Sequence, residues 1–151
     1  MTTPVARSAM QEQIIQSKLH IYDIVASKNP VEIRKTMLDF ILYSLDEENR
    51  ALVAEKDIAK QKYISEEIEI IHYKESTLKA MSDTDLVSTT YSSYQSQYGS
   101  RESFQKDLES SVTRFTEKTP THVAITLPEV TSGINTDIRV LDAYLVDGTW
   151  K

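Results

Sequence analysis

Residues 31–98 read VEIRKTMLDFILYSLDEENRALVAEKDIAKQKYISEEIEIIHYKESTLKAMSDTDLVSTTYSSYQSQY, 68 positions between Pro30 and Gly99 without a glycine or a proline. Nothing in this run eases a positive φ or stops a helix, so it predicts a few long helices. Its entrance is equally plain. In Asn29-Pro30-Val31-Glu32, Asn29 suits the cap, Pro30 the first helical position and Glu32 the third, from which its side chain answers the cap.

Outward from that boundary, Met10, Ile14, Ile21 and Val25 share one stripe, broadened by Ile15, Leu19 and Tyr22. The pattern predicts a first helix from about Pro4 to Ser27. A second helix, from about Pro30 to Leu45, carries Ile33, Met37, Leu38, Phe40, Ile41, Leu42 and Leu45 around most of its circumference and is expected at the centre of the core. Capping and acidic residues over Ser44 to Asn49 allow either a tight bend into a third helix, Glu47 to Met81, or a continuation, and the bend is the expectation. There Ala54, Ile64, Ile68, Ile71 and Leu78 recur at helical spacing, interrupted by Asp57, Gln61 and Glu75. At 1.5 Å per residue such a helix reaches about 50 Å, more than a small domain needs, so part of it is expected to project toward a partner.

Ser82-Asp83-Thr84-Asp85 offers caps for a fourth segment in which Val87, Tyr91, Tyr94 and Tyr98 form a helical stripe in a Ser, Thr and Gln background that equally suits a partly ordered linker. Two readings stand for those tyrosines: a binding face, since tyrosine gives large contact area at low entropic cost, or packing against the second and fifth helices. Gly99 closes the segment, and Ser100 caps a fifth helix with Phe104, Leu108, Val112 and Phe115 on its buried face, ending at Thr119-Pro120. The period then changes. Val123, Ile125 and Leu127 alternate with His122, Ala124 and Thr126, and a second β-prone run spans Ile138 to Val146. The expectation is a mainly α protein of four or five helices, with a helical body at 1–119 and a short two-stranded β ribbon or arm at 120–151. An isolated ribbon is marginal in water, so it must pack on the helices or pair across a subunit boundary.

Composition chiefly excludes. The chain has no cysteine, which removes disulfide frameworks, thiolate metal sites and cysteine nucleophiles. With glycine at Gly99, Gly133 and Gly148 alone, no P-loop, dinucleotide fingerprint or nucleophile elbow can be written. Through Met81 there are 11 basic and 13 acidic residues, and from Ser82 onward 6 and 10, so neither half has the basic surface that nucleic acid demands. No apolar run reaches the roughly 20 residues of a membrane span, and Met1 to Met10 lacks the core of a signal peptide. The expected location is therefore the cytoplasm or a virion.

Glu69-Ile70-Ile71-His72 has the Glu-x-x-His spacing of carboxylate-bridged metal bundles, but a second such motif and two further inward glutamates are missing. His20, His72 and His122 read as structural histidines, and pairs such as Glu66 with Glu69, or Asp46 with Glu48, as solvated helix faces. No catalytic, cofactor or metal residue is assigned, and no cofactor is expected. The functional expectation is a non-enzymatic structural or adaptor subunit, a homo-oligomer or part of a larger assembly, with other protein subunits as partners and no direct nucleic acid or membrane. Candidate partner-binding residues are Tyr91, Tyr94, Tyr98, Val123, Ile125, Ile138, Val140 and Trp150, with strand addition along Val123 to Leu127 or Ile138 to Val146 as one mode. The general layout is similar to that of small helical connector proteins of phage particles, which implies a particle component. The alternatives are a small acidic regulatory protein that binds a single partner, and a metal enzyme built around Glu69 and His72.

Overall fold

The computed structural model describes residues 7–151, with Ser132 through its backbone alone; residues 4–6 of the expected first helix lie outside the described residues. The chain is mainly α: helices α1 (Ala9–Ala26), α2 (Pro30–Ala54), α3 (Ile58–Ala80), α4 (Asp83–Tyr98) and α5 (Arg101–Ser110), then strands β1 (Phe115–Thr119), β2 (His122–Thr126), β3 (Val130–Ser132), β4 (Asn135–Asp137), β5 (Val140–Val146) and β6 (Thr149–Trp150). Two compact units share it. A terminal unit combines residues 7–23 with Ser92–Lys151, and a central unit holds Ile24–Tyr91.

In the central unit, Lys28 takes a left-handed turn at φ 58° and Asn29 caps α2 as its sequence predicts. Its Oδ1 accepts from the backbone N–H of Val31 at 3.0 Å and of Glu32 at 3.3 Å, with Pro30 opening the helix, but the Glu32 side chain does not answer the cap, and the Asn29 backbone N–H donates to Ser27 Oγ at 3.3 Å instead. The expected bend at Ser44 to Asn49 does not occur. Helix α2 runs on for 25 residues, because Glu47, buried and paired with Arg50 at 2.6 Å, is used within the helix and nothing there is committed to a cap. The break falls at residues 55–57 instead, where Asp57 caps α3 by accepting from Ala59 N–H at 2.9 Å and Lys60 N–H at 3.2 Å.

A three-residue connection turns α3 back along α2. Half-buried Gln61, Ile64, Ile68, Ile71, Glu75 and Leu78 form its inner row, so two of the polar residues that interrupt the apolar pattern, Gln61 and Glu75, sit on the packed face. Its 23 residues span about 34 Å rather than 50 Å, and the expected projection is replaced by a helical hairpin. Nor is α2 the buried centre: only Ile33, Leu45 and Glu47 are buried on it. Apolar residues around a whole circumference need neighbours on every side, and the described helices of this unit leave one side of α2 uncovered.

The terminal unit carries the main core. Strands β1-β2-β5-β6 form an antiparallel sheet, and β3-β4 make a separate hairpin within the connection from β2 to β5. The two strands read from the sequence are thus its central pair, with Val123 opposite Ala143 and Ile125 opposite Leu141. Phe115 does not continue α5. Helix α5 ends at Ser110, a single 3-10 turn follows at Val112–Arg114, and Phe115 starts the edge strand β1, joined to β2 through Pro120-Thr121. At the other edge, Asp147 (φ 50°) and Gly148 (φ 78°) make a two-residue turn with both φ positive, which suits the twist of β5 and β6. The core joins Ile14, Ile15, Leu19 and Tyr22 of α1, Phe104 and Leu108 of α5, and Val123, Ile125, Leu127 and Ala143 of the sheet region.

Candidate interaction surface

Helix α3 has no buried residue along its 23 positions. Opposite the inner row runs a second one, Ala59, Tyr63, Glu66, Ile70, Tyr73, Thr77 and Ala80, spaced 4-3-4-3-4-3 and exposed at every position. Tyr63 is 64% exposed, Ile70 48% and Tyr73 74%. That spacing keeps side chains on one nearly straight seam, the arrangement by which a helix receives another helix. The helix carries four lysines and four glutamates, so its face is mixed in sign and neutral overall. On α2, Val31, Leu38 and Leu42 line an open groove of about 490 Å³ edged by Arg34, Lys35, Asp39 and Asp83. Arg34 fixes that edge by donating to Leu78 O and to Asp83 Oδ1, each at 2.6 Å.

The residues expected to bind partners are distributed differently. Val123 and Ile125 are 1% and 0% exposed and serve the chain's own core, and β2 is paired along both edges, so strand addition there is closed. Tyr98 is buried, packed on Phe104 at 4.5 Å between ring centroids, with Tyr94 edge-on to it at 5.1 Å. Burial pushes both phenols above their usual range. Packing within the terminal unit, on Tyr22 of α1 and Phe104 of α5, therefore accounts for these two tyrosines. Tyr91, in the central unit, lies under the Lys28 ammonium at 4.4 Å. Trp150 packs against the terminal core, and its backbone N–H donates to Gln13 Oε1 at 2.7 Å. Ile138 and Val140 remain open, 66% and 52% exposed, and Ile134 at the tip of the β3-β4 hairpin is fully exposed.

One polar cluster was not visible in the sequence. Lys18, 6% exposed on α1, donates to the carbonyl oxygen of Asp142 on β5, and burial brings its ammonium down to about 7 despite the nearby Asp142 carboxylate. The Asp142 carboxylate meets His122 Nε2 at 2.9 Å, and the His122 ring stacks on Tyr144 at 4.9 Å. A lysine amid an apolar stripe gives no local sign that a strand carbonyl will cap it. Arg139 acts as a second clamp, donating to Gln97 O and Pro128 O at 2.7 Å each and to Asp107 Oδ2 at 3.2 Å.

Glu69 and His72 are both exposed, and His72 Nδ1 faces Glu75 at 3.7 Å. Among the described residues, no group of three or more His, Asp or Glu side chains gathers in metal-binding geometry, and no helix is long and apolar enough to cross a membrane. No family model, curated protein or solved structure matches the chain.

Proposed function

We propose that this chain is a non-enzymatic structural or adaptor subunit whose work is protein contact, and that the α2-α3 hairpin is its contact element. The observation that carries the reading is the exposed outer seam of α3, with Tyr63, Ile70 and Tyr73 aligned on a helix that has no buried residue. Aligned apolar side chains left in water on a well-capped helix mark a surface that another protein covers. The mixed charge of α3 speaks against a regulator that works through a purely acidic face. Nothing in the geometry favours a virus particle over another assembly.

The test is a photo-crosslinking residue at position 70, introduced in cells that make the chain naturally. The expected result is a covalent adduct of one defined mass, absent when the same probe replaces Gln16. Recovery of the uncrosslinked chain alone refutes the proposal.

A further inference from the structure

We infer that the partner of the α3 outer seam is a second copy of the same helix, aligned parallel to the first. This deepens the contact reading above and rests on it. Taking Tyr63, Ile70 and Thr77 as one set of core positions and Ala59, Glu66, Tyr73 and Ala80 as the other makes the seam a three-heptad repeat. The residues flanking a parallel seam pair from one helix to a position five further along the other. Lys62 then meets the Glu67 of the second copy, and Glu69 meets its Lys74. Two-fold symmetry doubles both attractions.

These four side chains are at liberty to do so. The ion pairs of α3 are His72 with Glu75 and Glu75 with Lys79, and among the described residues Lys62, Glu67, Glu69 and Lys74 join none. The antiparallel alternative centred on Ile70 keeps Glu67 with Lys74 but sets Glu69 against its own copy. Equal numbers of lysine and glutamate leave no net repulsion between copies of α3. Glu66 is the one discordant position. In the parallel pair it faces its own copy within the seam, so it weakens the association while opposing looser registers.

The test uses the purified full-length chain. Sedimentation equilibrium is expected to show a concentration-dependent dimer, and Ile70→Glu, on an exposed site where folding is unaffected, to return it to monomer. Glu66→Leu is expected to tighten the dimer. Glu69→Lys is expected to weaken it about tenfold, with Lys74→Glu added to the same chain restoring it.

Because the chain has no cysteine, Tyr63→Cys and Thr77→Cys report alignment directly. In an oxidised mixture of the two, 63–63 and 77–77 disulfides support the parallel pair. Predominant 63–77 disulfides overturn it, as do yields no higher than from Gln16→Cys. A chain that stays monomeric at every concentration while position 70 crosslinks to a different protein overturns the second copy as partner and leaves the contact reading standing. A monomer that crosslinks to nothing removes both.

Discussion

Replacing Lys18 with methionine should abolish a pH dependence of stability that the wild-type chain carries between pH 7 and 9. Lys18 is 6% exposed beneath β5, and burial lowers its ammonium from 10.5 to about 7. Between those values the folded chain binds fewer protons at this site than the unfolded chain does. Stability therefore rises with pH across that window and is flat, for this group, below it. Each pH unit is worth at most about 1.4 kcal/mol, so the wild type should gain up to about 3 kcal/mol from pH 7 to 9. Methionine matches the lysine stem in length, cannot titrate, and gives up the hydrogen bond to the Asp142 carbonyl.

The assay is urea unfolding of both proteins at half-unit steps, and the quantity of interest is the difference between the two curves, in which other titrating groups cancel. Measurement stops at pH 9. Tyr94 and Tyr98 have their ionised forms disfavoured by burial, and the stability they contribute is lost as pH climbs beyond the ordinary tyrosine value near 10. Parallel profiles for wild type and Lys18→Met from pH 7 to 9 would refute the reasoning.

Arg139→Met should cost about 3 kcal/mol in chemical denaturation, because it strands the carbonyls of Gln97 and Pro128 and leaves Asp107 without its cation. Tyr22→Phe removes a hydroxyl that donates to Gly99 O at 2.8 Å and accepts from Gln95 at 3.1 Å, so a loss of about 1 kcal/mol is expected by the same measurement. Asn29→Ala should destabilise the start of α2 by about 1 kcal/mol, seen as faster amide exchange at Val31 and Glu32 with exchange in the sheet unchanged.

How much of this was legible in the sequence depends on how local each signal is. The Asn29-Pro30 entrance, the Ser100 cap and the β-prone run that starts at His122 each lie within a few residues, and each forms its element, although Ala124 is buried along with Val123 and Ile125, so the strand is covered on both faces and not on alternate residues. The end of α2 was misplaced because Ser44, Asp46 and Asn49 have cap chemistry but sit mid-helix, whereas Asp57, which does cap, stands among charges that look like an ordinary helix surface. Strand β1 was hidden for another reason. Phe115-Thr116-Glu117-Lys118-Thr119 has one apolar residue and faces water, so its strand character comes from pairing with β2 and not from alternation. The tyrosine stripe was visible, but whether it faced core or solvent turned on Tyr22, far away along the chain, and on Phe104 beyond the turn at Gly99. The outer seam of α3 is hidden in the sequence because the inner row of Ile64, Ile68, Ile71 and Leu78 dominates the apolar pattern of the same helix, and it emerges once that row is seen to be the packed one.

The division of the chain has a bearing on the order of its biogenesis. Residues 7–23 cannot find Ile125 or Leu127 until the ribosome has passed those positions, while Ile24–Tyr91 emerges before them as one uninterrupted stretch. The helical hairpin can thus form on the nascent chain while α1 still waits for the sheet. Its outer seam is available to a neighbouring chain on the same polysome before the terminal body has closed.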